Sequence, residues 1–146
     1  MDSFTVLFVD DETDFVESLI KRMQRRSIRA YGVHSGEEAL DFLAGDIGVD
    51  VVVLDVRMQG MNGIETLKTL KRRYPLMEVI MLSGHANLAV AKEGMEMGAF
   101  DYLMKPVDLD ELLYKLQDAF QKKHLNEAKT KKAPNVKKSD AIPSTR

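Results

Sequence analysis

Residues 51–84 read VVVLDVRMQGMNGIETLKTLKRRYPLMEVIMLSG, and hydrophobic period alone divides them into strand, helix and strand. Val51 to Leu54 is a continuous run of β-branched and aliphatic residues, the pattern of a strand covered on both faces, and it runs into Asp55. Ile64, Leu67 and Leu70 then recur at helical spacing, and Pro75 closes that helix. Val79 to Leu82 returns to a strand pattern that runs into Ser83 and Gly84.

The same alternation extends in both directions. Upstream, Thr5 to Val9 and, more weakly, Ile28 to Val33 are strand-like, and Phe15, Val16, Leu19, Ile20 and Met23 form a helical stripe between them. Ala39, Leu40 and Leu43 make a shorter stripe, entered at Ser35-Gly36-Glu37-Glu38 and broken by Gly45 and Gly48. Downstream, Asn87 to Met97 is helical by composition although Gly94 weakens it, and Gly98 ends it. Phe100 to Met104 is a weak strand, Asp108 a helix start, and Leu109, Leu112, Leu113, Leu116 and Phe120 the cleanest apolar stripe of all. Five βα units in succession predict an α/β fold, doubly wound, with a mainly parallel sheet and helices on both faces.

The chain of 146 residues suits one domain with a proper core, and the absence of cysteine removes disulfides, thiolate metal sites and a cysteine nucleophile. No apolar run is long enough to span a bilayer. The start, Met1-Asp2-Ser3-Phe4, is acidic where a secretory signal would be basic, so a cytoplasmic protein is expected. The net charge of −2 conceals an acidic body and a basic end: from Lys122 onward eight Lys/Arg face Glu127 and Asp140. The expected division is a domain over 1–122 and a Lys-rich, disordered tail over 123–146. Lys129, Lys131, Lys132, Lys137 and Lys138 are phosphate-binding candidates, but no aromatic is interleaved for stacking, and a solvated tail is the plainer reading.

In an open parallel sheet the ligand site lies beyond the carboxyl ends of the strands. Those ends carry Asp10-Asp11, Asp55, Ser83 and Lys105-Pro106. Taken singly, an Asp is most often a helix cap or turn residue, Ser83 a loop residue and Lys105 a surface charge. The bland readings do not require all of them at one edge. Three converging carboxylates repel one another unless a cation joins them. Hard oxygen donors suit Mg²⁺, and a carboxylate is a competent nucleophile toward phosphorus. Such a transfer needs metal on one side of the phosphoryl oxygens and a cation and a hydroxyl on the other, parts that Lys105 and Ser83 match.

With these residues in this order, the chain from about Phe4 to about Lys122 resembles the receiver domain of bacterial two-component response regulators, the stand-alone chemotaxis type included. The segment Gly98 to Pro106 resembles receivers that precede σ54-type activator domains. The resemblance implies a flavodoxin-like (βα)5 fold with a five-stranded parallel sheet of order 2-1-3-4-5. It implies Asp55 as phosphoacceptor, phosphorylated by a sensor histidine kinase. It also implies Mg²⁺ held by Asp10, Asp11, Asp55 and the backbone carbonyl of Arg57. Lys105 would pair with the phosphoryl oxygens and Ser83 would hydrogen-bond one of them. Gly84 would keep the space over the pocket open, and Lys105-Pro106 would be a cis peptide.

Tyr102, coupled to Ser83, would remodel the face of helix 4, strand 5 and helix 5, where a downstream protein or a phosphorylation-dependent dimer partner binds; otherwise the chain is a monomer. Read without the family, Tyr102 is a half-buried strand aromatic. Asn62 stands where many relatives carry Asp, and Arg57 and His85 are positions that influence loss of the phosphoryl group. The chain is expected to be no enzyme beyond its own phosphorylation and dephosphorylation at Asp55. The output stays open among a protein partner, a phosphorelay step, a phosphate sink and the receiver of a transcription factor; neither membrane nor nucleic acid is an expected partner. An aspartate-nucleophile phosphatase is the enzyme alternative. It would need an acid two residues past the nucleophile, where Arg57 stands.

Overall fold

The computed structural model describes residues 3–57, 62–84 and 87–132. Strands β1 (Thr5–Val9), β2 (Arg29–Val33), β3 (Val51–Asp55), β4 (Glu78–Ser83) and β5 (Asp101–Met104) alternate with helices α1 (Thr13–Gln24), α2 (Gly36–Leu43), α3 (Gly63–Arg73), α4 (Leu88–Glu96) and α5 (Leu109–Lys132). The strands form one parallel sheet in the order β2-β1-β3-β4-β5, as the resemblance implies.

Strand alternation sorts the core into two layers. Phe4, Val6, Phe8, Val51, Val53, Ile80 and Leu82 face one side and meet Val16, Leu19, Met23, Leu112, Leu116 and Ala119 of α1 and α5. Leu7, Val9, Val52, Leu54, Val79 and Met81 face the other and meet Ala39, Leu43, Leu67 and Leu70 of α2 and α3. β1, β3 and β4 are buried along their whole length, which is why they read as unbroken apolar runs.

Helix ends follow local chemistry. The Ser35 side chain caps α2 by accepting from Glu38 N–H, and Asn62 caps α3 in a reciprocal pair with Glu65. Gly98 takes φ +106° just past α4, a conformation that favours glycine. Of the carboxylates at the start of α1, neither Asp10 nor Asp11 is the cap; Glu12 occupies that position, without a side-chain capping bond.

The chain departs from expectation at the end of α5. Residues 123–132, assigned to the tail, continue the helix, and His124 stacks on Phe120 at 6.0 Å. The remainder of the expected tail, 133–146, lies outside the described residues. Past Phe120 the apolar stripe stops, so hydrophobic period carries no signal there. A charge contact takes over instead: Lys123 Nζ donates to Asp50 Oδ1 at 2.9 Å and to Glu127 Oε2 at 2.7 Å. Asp50 lies just before β3, and its other oxygen accepts from Thr5 N–H at 2.9 Å. Beside it, the buried Glu78 faces Lys122 at 3.7 Å and Lys71 at 3.9 Å. Burial lowers the Lys71 pKa against the pull of Glu78.

A short helix without apolar anchorage is marginal in water. Lys123→Met should therefore lower amide-exchange protection over residues 121–130 by roughly fivefold, the equivalent of about 1 kcal/mol, and leave α1 protection unchanged. Raising salt to about 0.5 M should narrow the difference from wild type.

Candidate functional site

The order β2-β1-β3 means that the chain passes from β1 to β2 on one side and then crosses back past β1 to β3 on the other, and a crevice opens where β1 and β3 end. Register then aligns the ends. Val9 stands beside Leu54, so Asp10 and Asp55 emerge on either side of one gap. Asp55 pairs with Leu82 and Ser83 with Met104, which brings Lys105 to the same edge, its N–H donating to Ser83 O at 2.8 Å. The resulting cleft, of about 530 Å³, is lined by Asp11, Glu12, Asp55, Arg57, Gly84, Asn87 and Lys105.

Asp10, Asp11 and Asp55 each offer a carboxylate oxygen within 4.8 Å of the others. Asp10 lies at the cleft floor, 1 % exposed, its Oδ1 accepting from Glu12 N–H at 2.9 Å. Its Oδ2 is buried and sits 2.9 Å from Lys105 Nζ, in a direction that leaves it without a hydrogen bond. Asp11 is exposed and Asp55 is buried. The donor set is all hard oxygen with one orphaned buried atom among them, which fits a small divalent cation such as Mg²⁺.

Lys105 Nζ also reaches Glu12 Oε1 at 2.7 Å and lies 3.8 Å from Asp55 Oδ2. Burial works against the ammonium, but the attraction of Asp10 and Glu12 and the charge of Asp55 outweigh it and raise its pKa. Asp55 is pushed up to about 6, first by burial and then by the charge of Asp10. A hydrogen bond from Arg57 N–H to Oδ1 at 3.2 Å and the charge of Lys105 oppose that shift.

Ser83 is fully buried, and its hydroxyl donates to Gly84 O at 2.9 Å. By strand alternation Ser83 faces the same side as Met81, whose partner across the ladder is Tyr102. Tyr102 is half-buried against the layer that contains Met95 and Met97. A Cβ built on Gly84 would meet nothing within 4 Å among the described residues. The Lys105-Pro106 peptide is cis. His85 lies outside the described residues, as does the loop 58–61.

Three residues near the cleft escaped the sequence reading. Glu12 follows Asp10-Asp11 directly and passes for an ordinary acidic helix start. Asn87 lines the cleft from the start of α4, where nothing in its neighbourhood marks it. Gly63 opens α3 so close to β3 that an added Cβ would lie 2.5 Å from Val56 Cα and 2.8 Å from Asp55 O.

Residues 6–117 match the family described as the response regulator receiver domain. The chain belongs to this family. The receiver is 37% identical over 116 residues to the regulatory protein AtoC of Escherichia coli, covering 80% of this chain and 25% of AtoC. It therefore spans about a quarter of that relative's length. Among solved structures, it resembles the receiver domain of NtrX from Brucella abortus at 28% identity and TM-score 0.75, covering 80% of this chain and 98% of that one. A receiver domain protein from Clostridium thermocellum matches at 31% identity and TM-score 0.79, covering 84% and 98% respectively. These likenesses include receivers of the σ54-activator kind, in line with the flavour of residues 98–106, and the function they share is phosphoryl acceptance in signalling. No helix among the described residues is long and apolar enough to cross a membrane.

Two outcomes follow for this receiver's stability. With its folded pKa near 6 against 3.8 for an ordinary Asp, Asp55 binds more protons folded than unfolded, so its contribution to stability falls as pH rises from about 4 to about 6. Asp55→Asn should accordingly raise stability at pH 7–8 by about 1–2 kcal/mol in urea titrations, the gain vanishing near pH 4. Gly63→Ala should cost about 1–3 kcal/mol, because backbone and not a flexible side chain must yield.

Proposed function

We propose that Asp55 is the phosphoacceptor of this receiver and that Asp10, Asp11, Asp55 and the backbone carbonyl of Arg57 hold Mg²⁺ beside it. The observation that carries the assignment is the meeting of Asp10, Asp11 and Asp55 within 4.8 Å at one sheet edge, with the Lys105 ammonium 3.8 Å from Asp55. The bound ion would neutralise charge on the phosphoryl oxygens and bring the carboxylates together without their mutual repulsion. Asp55 Oδ attacks phosphorus while the P–N bond of a phosphohistidine breaks, and the imidazole leaves with the electron pair and takes up a proton from solvent. Lys105 balances charge on the transferred group from the β5 side of the cleft.

Ser83 gives up its local bond to Gly84 O, a cost of about 1 kcal/mol, for a charged phosphoryl oxygen that is a stronger acceptor. The movement draws on the side of the sheet that Tyr102 shares, and so on the face of α4, β5 and α5. We assign that face to a downstream protein or to a second phosphorylated copy, and the phosphoryl supply to a sensor histidine kinase. Phosphorylation shifts the balance between two states of this face to the extent that it binds one better. A cytoplasmic setting goes with a phosphoryl donor made from ATP. The exposed Arg57, two residues past Asp55, is far too weak an acid to protonate a leaving group, which disfavours a phosphatase acting on other substrates.

Incubation with Mg²⁺ and acetyl phosphate should add one phosphoryl mass to the protein, with shifts in amide NMR signals at Ser83 and Tyr102 that beryllofluoride reproduces. Asp55→Asn should show neither. A folded wild-type protein that stays unmodified with both reagents would overturn the assignment.

A further inference from the structure

Lys105 Nζ is held most closely by a residue outside the carboxylate trio. Its contacts are Glu12 Oε1 at 2.7 Å, Asp10 Oδ2 at 2.9 Å and Asp55 Oδ2 at 3.8 Å. The ammonium also lies 4.9 Å from the centroid of the Phe15 ring. Glu12 and Phe15 are three residues apart at the start of α1, and therefore on one face of the helix. The ammonium is thus seated against α1, hydrogen-bonded to Glu12, with no hydrogen bond to Asp55. Glu12 itself is 62% exposed at its side chain and makes no capping bond, so it can turn to water at little cost.

We propose that Glu12, backed by the Phe15 ring, is a resting seat for Lys105 that sets the rate at which Asp55 is phosphorylated; the proposal rests on Asp55 being the phosphoacceptor. Glu12 is a positioning residue, since it acts through the lysine. Of the ammonium's three N–H donors one is given to Glu12, while Asp10 Oδ2 at 2.9 Å attracts the charge without a hydrogen bond. To pair with an incoming phosphoryl group the lysine must leave or share the Glu12 contact. An exposed ion pair is worth up to about 1 kcal/mol, so loosening it should accelerate transfer by up to about fivefold.

A second physical effect has the same sign. Removing a negative charge from the cleft also favours approach of an anionic phosphodonor. The two separate by geometry. Glu12→Gln removes the charge, whereas Glu12→Asp keeps it but draws the carboxylate back by one methylene, out of reach of Lys105.

The experiment is a time course of intact mass with Mg²⁺ and acetyl phosphate for wild type, Glu12→Gln, Glu12→Asp and Asp55→Asn, with beryllofluoride affinity measured by NMR alongside. The seat predicts roughly two- to fivefold faster phosphorylation and tighter beryllofluoride binding in both Glu12 variants, with melting temperatures lowered by no more than about 5 °C. In a Lys105→Met background the two Glu12 substitutions should have no effect. Acceleration by Glu12→Gln alone, or acceleration that survives Lys105→Met, assigns the effect to cleft charge and overturns the seat. Unchanged or slower rates in both variants overturn it as well, while a wild-type adduct absent from Asp55→Asn keeps the phosphoacceptor assignment standing. A wild-type protein that gains no phosphoryl mass removes the assignment and the seat together.

Discussion

Asp10, Asp11 and Asp55 share one end of a crevice, and the Lys105 ammonium that meets Asp10 and Asp55 is also claimed by a fourth carboxylate, Glu12. Left to themselves, like charges this close separate or take up protons. Neither route is free here. Asp10 and Asp55 are fixed at the ends of strands buried on both faces, and the ladder sets their spacing. The cleft therefore carries unfavourable energy in advance, of a kind that a divalent cation would relieve. Burial is the first cause of the raised pKa of Asp55, and the charge of Asp10 adds to it.

What holds the repulsion in place is the double-layered apolar core. Val6, Phe8, Val51 and Val53 lock β1 and β3 to α1 and α5, while Leu7, Val9, Val52 and Leu54 lock them to the helices of the other face. Gly63 adds a constraint from a third direction, since its lack of a side chain lets the start of α3 press against the backbone of Asp55 and Val56. Rigidity at Asp55 contrasts with the looser attachments around it. Ser83 holds a bond to its own neighbour's carbonyl, and Lys105 rests on an exposed glutamate. Movable groups surround an immovable carboxylate, an arrangement suited to a site whose occupancy must be read out as a change of shape.

The opposite edge of the sheet shows a second use of charge. Asp50 and Glu78 stand just before and at the start of the strands that end in Asp55 and Ser83, and they meet Lys123 and Lys122 of α5. The helix α5 is thus tied by lysines to the roots of the strands that end in Asp55 and Ser83. The tie also carries α5 beyond the last apolar turn to Lys132, where hydrophobic patterning has nothing to report.

The five βα units, their approximate limits and the residues at the strand ends are legible in the chain alone, because each depends on local period and on residues adjacent in the chain. Val51 to Asp55 is legible as a buried strand and its polar end without knowledge of any partner. That Asp10, Asp55 and Lys105 belong to one place was legible too, once parallel winding was inferred, since such a sheet gathers its strand ends along one edge. The rest depends on packing between distant segments. Glu12 gains its partner from a residue 93 positions away, and Lys123 gains Asp50 across 73. The closeness of Gly63 to the Asp55 backbone, the orphaned oxygen of Asp10 and the raised pKa of Asp55 likewise arise from what lies beside them in space. Distances and dielectric surroundings are set by how layers pack, and no stretch of chain encodes them on its own.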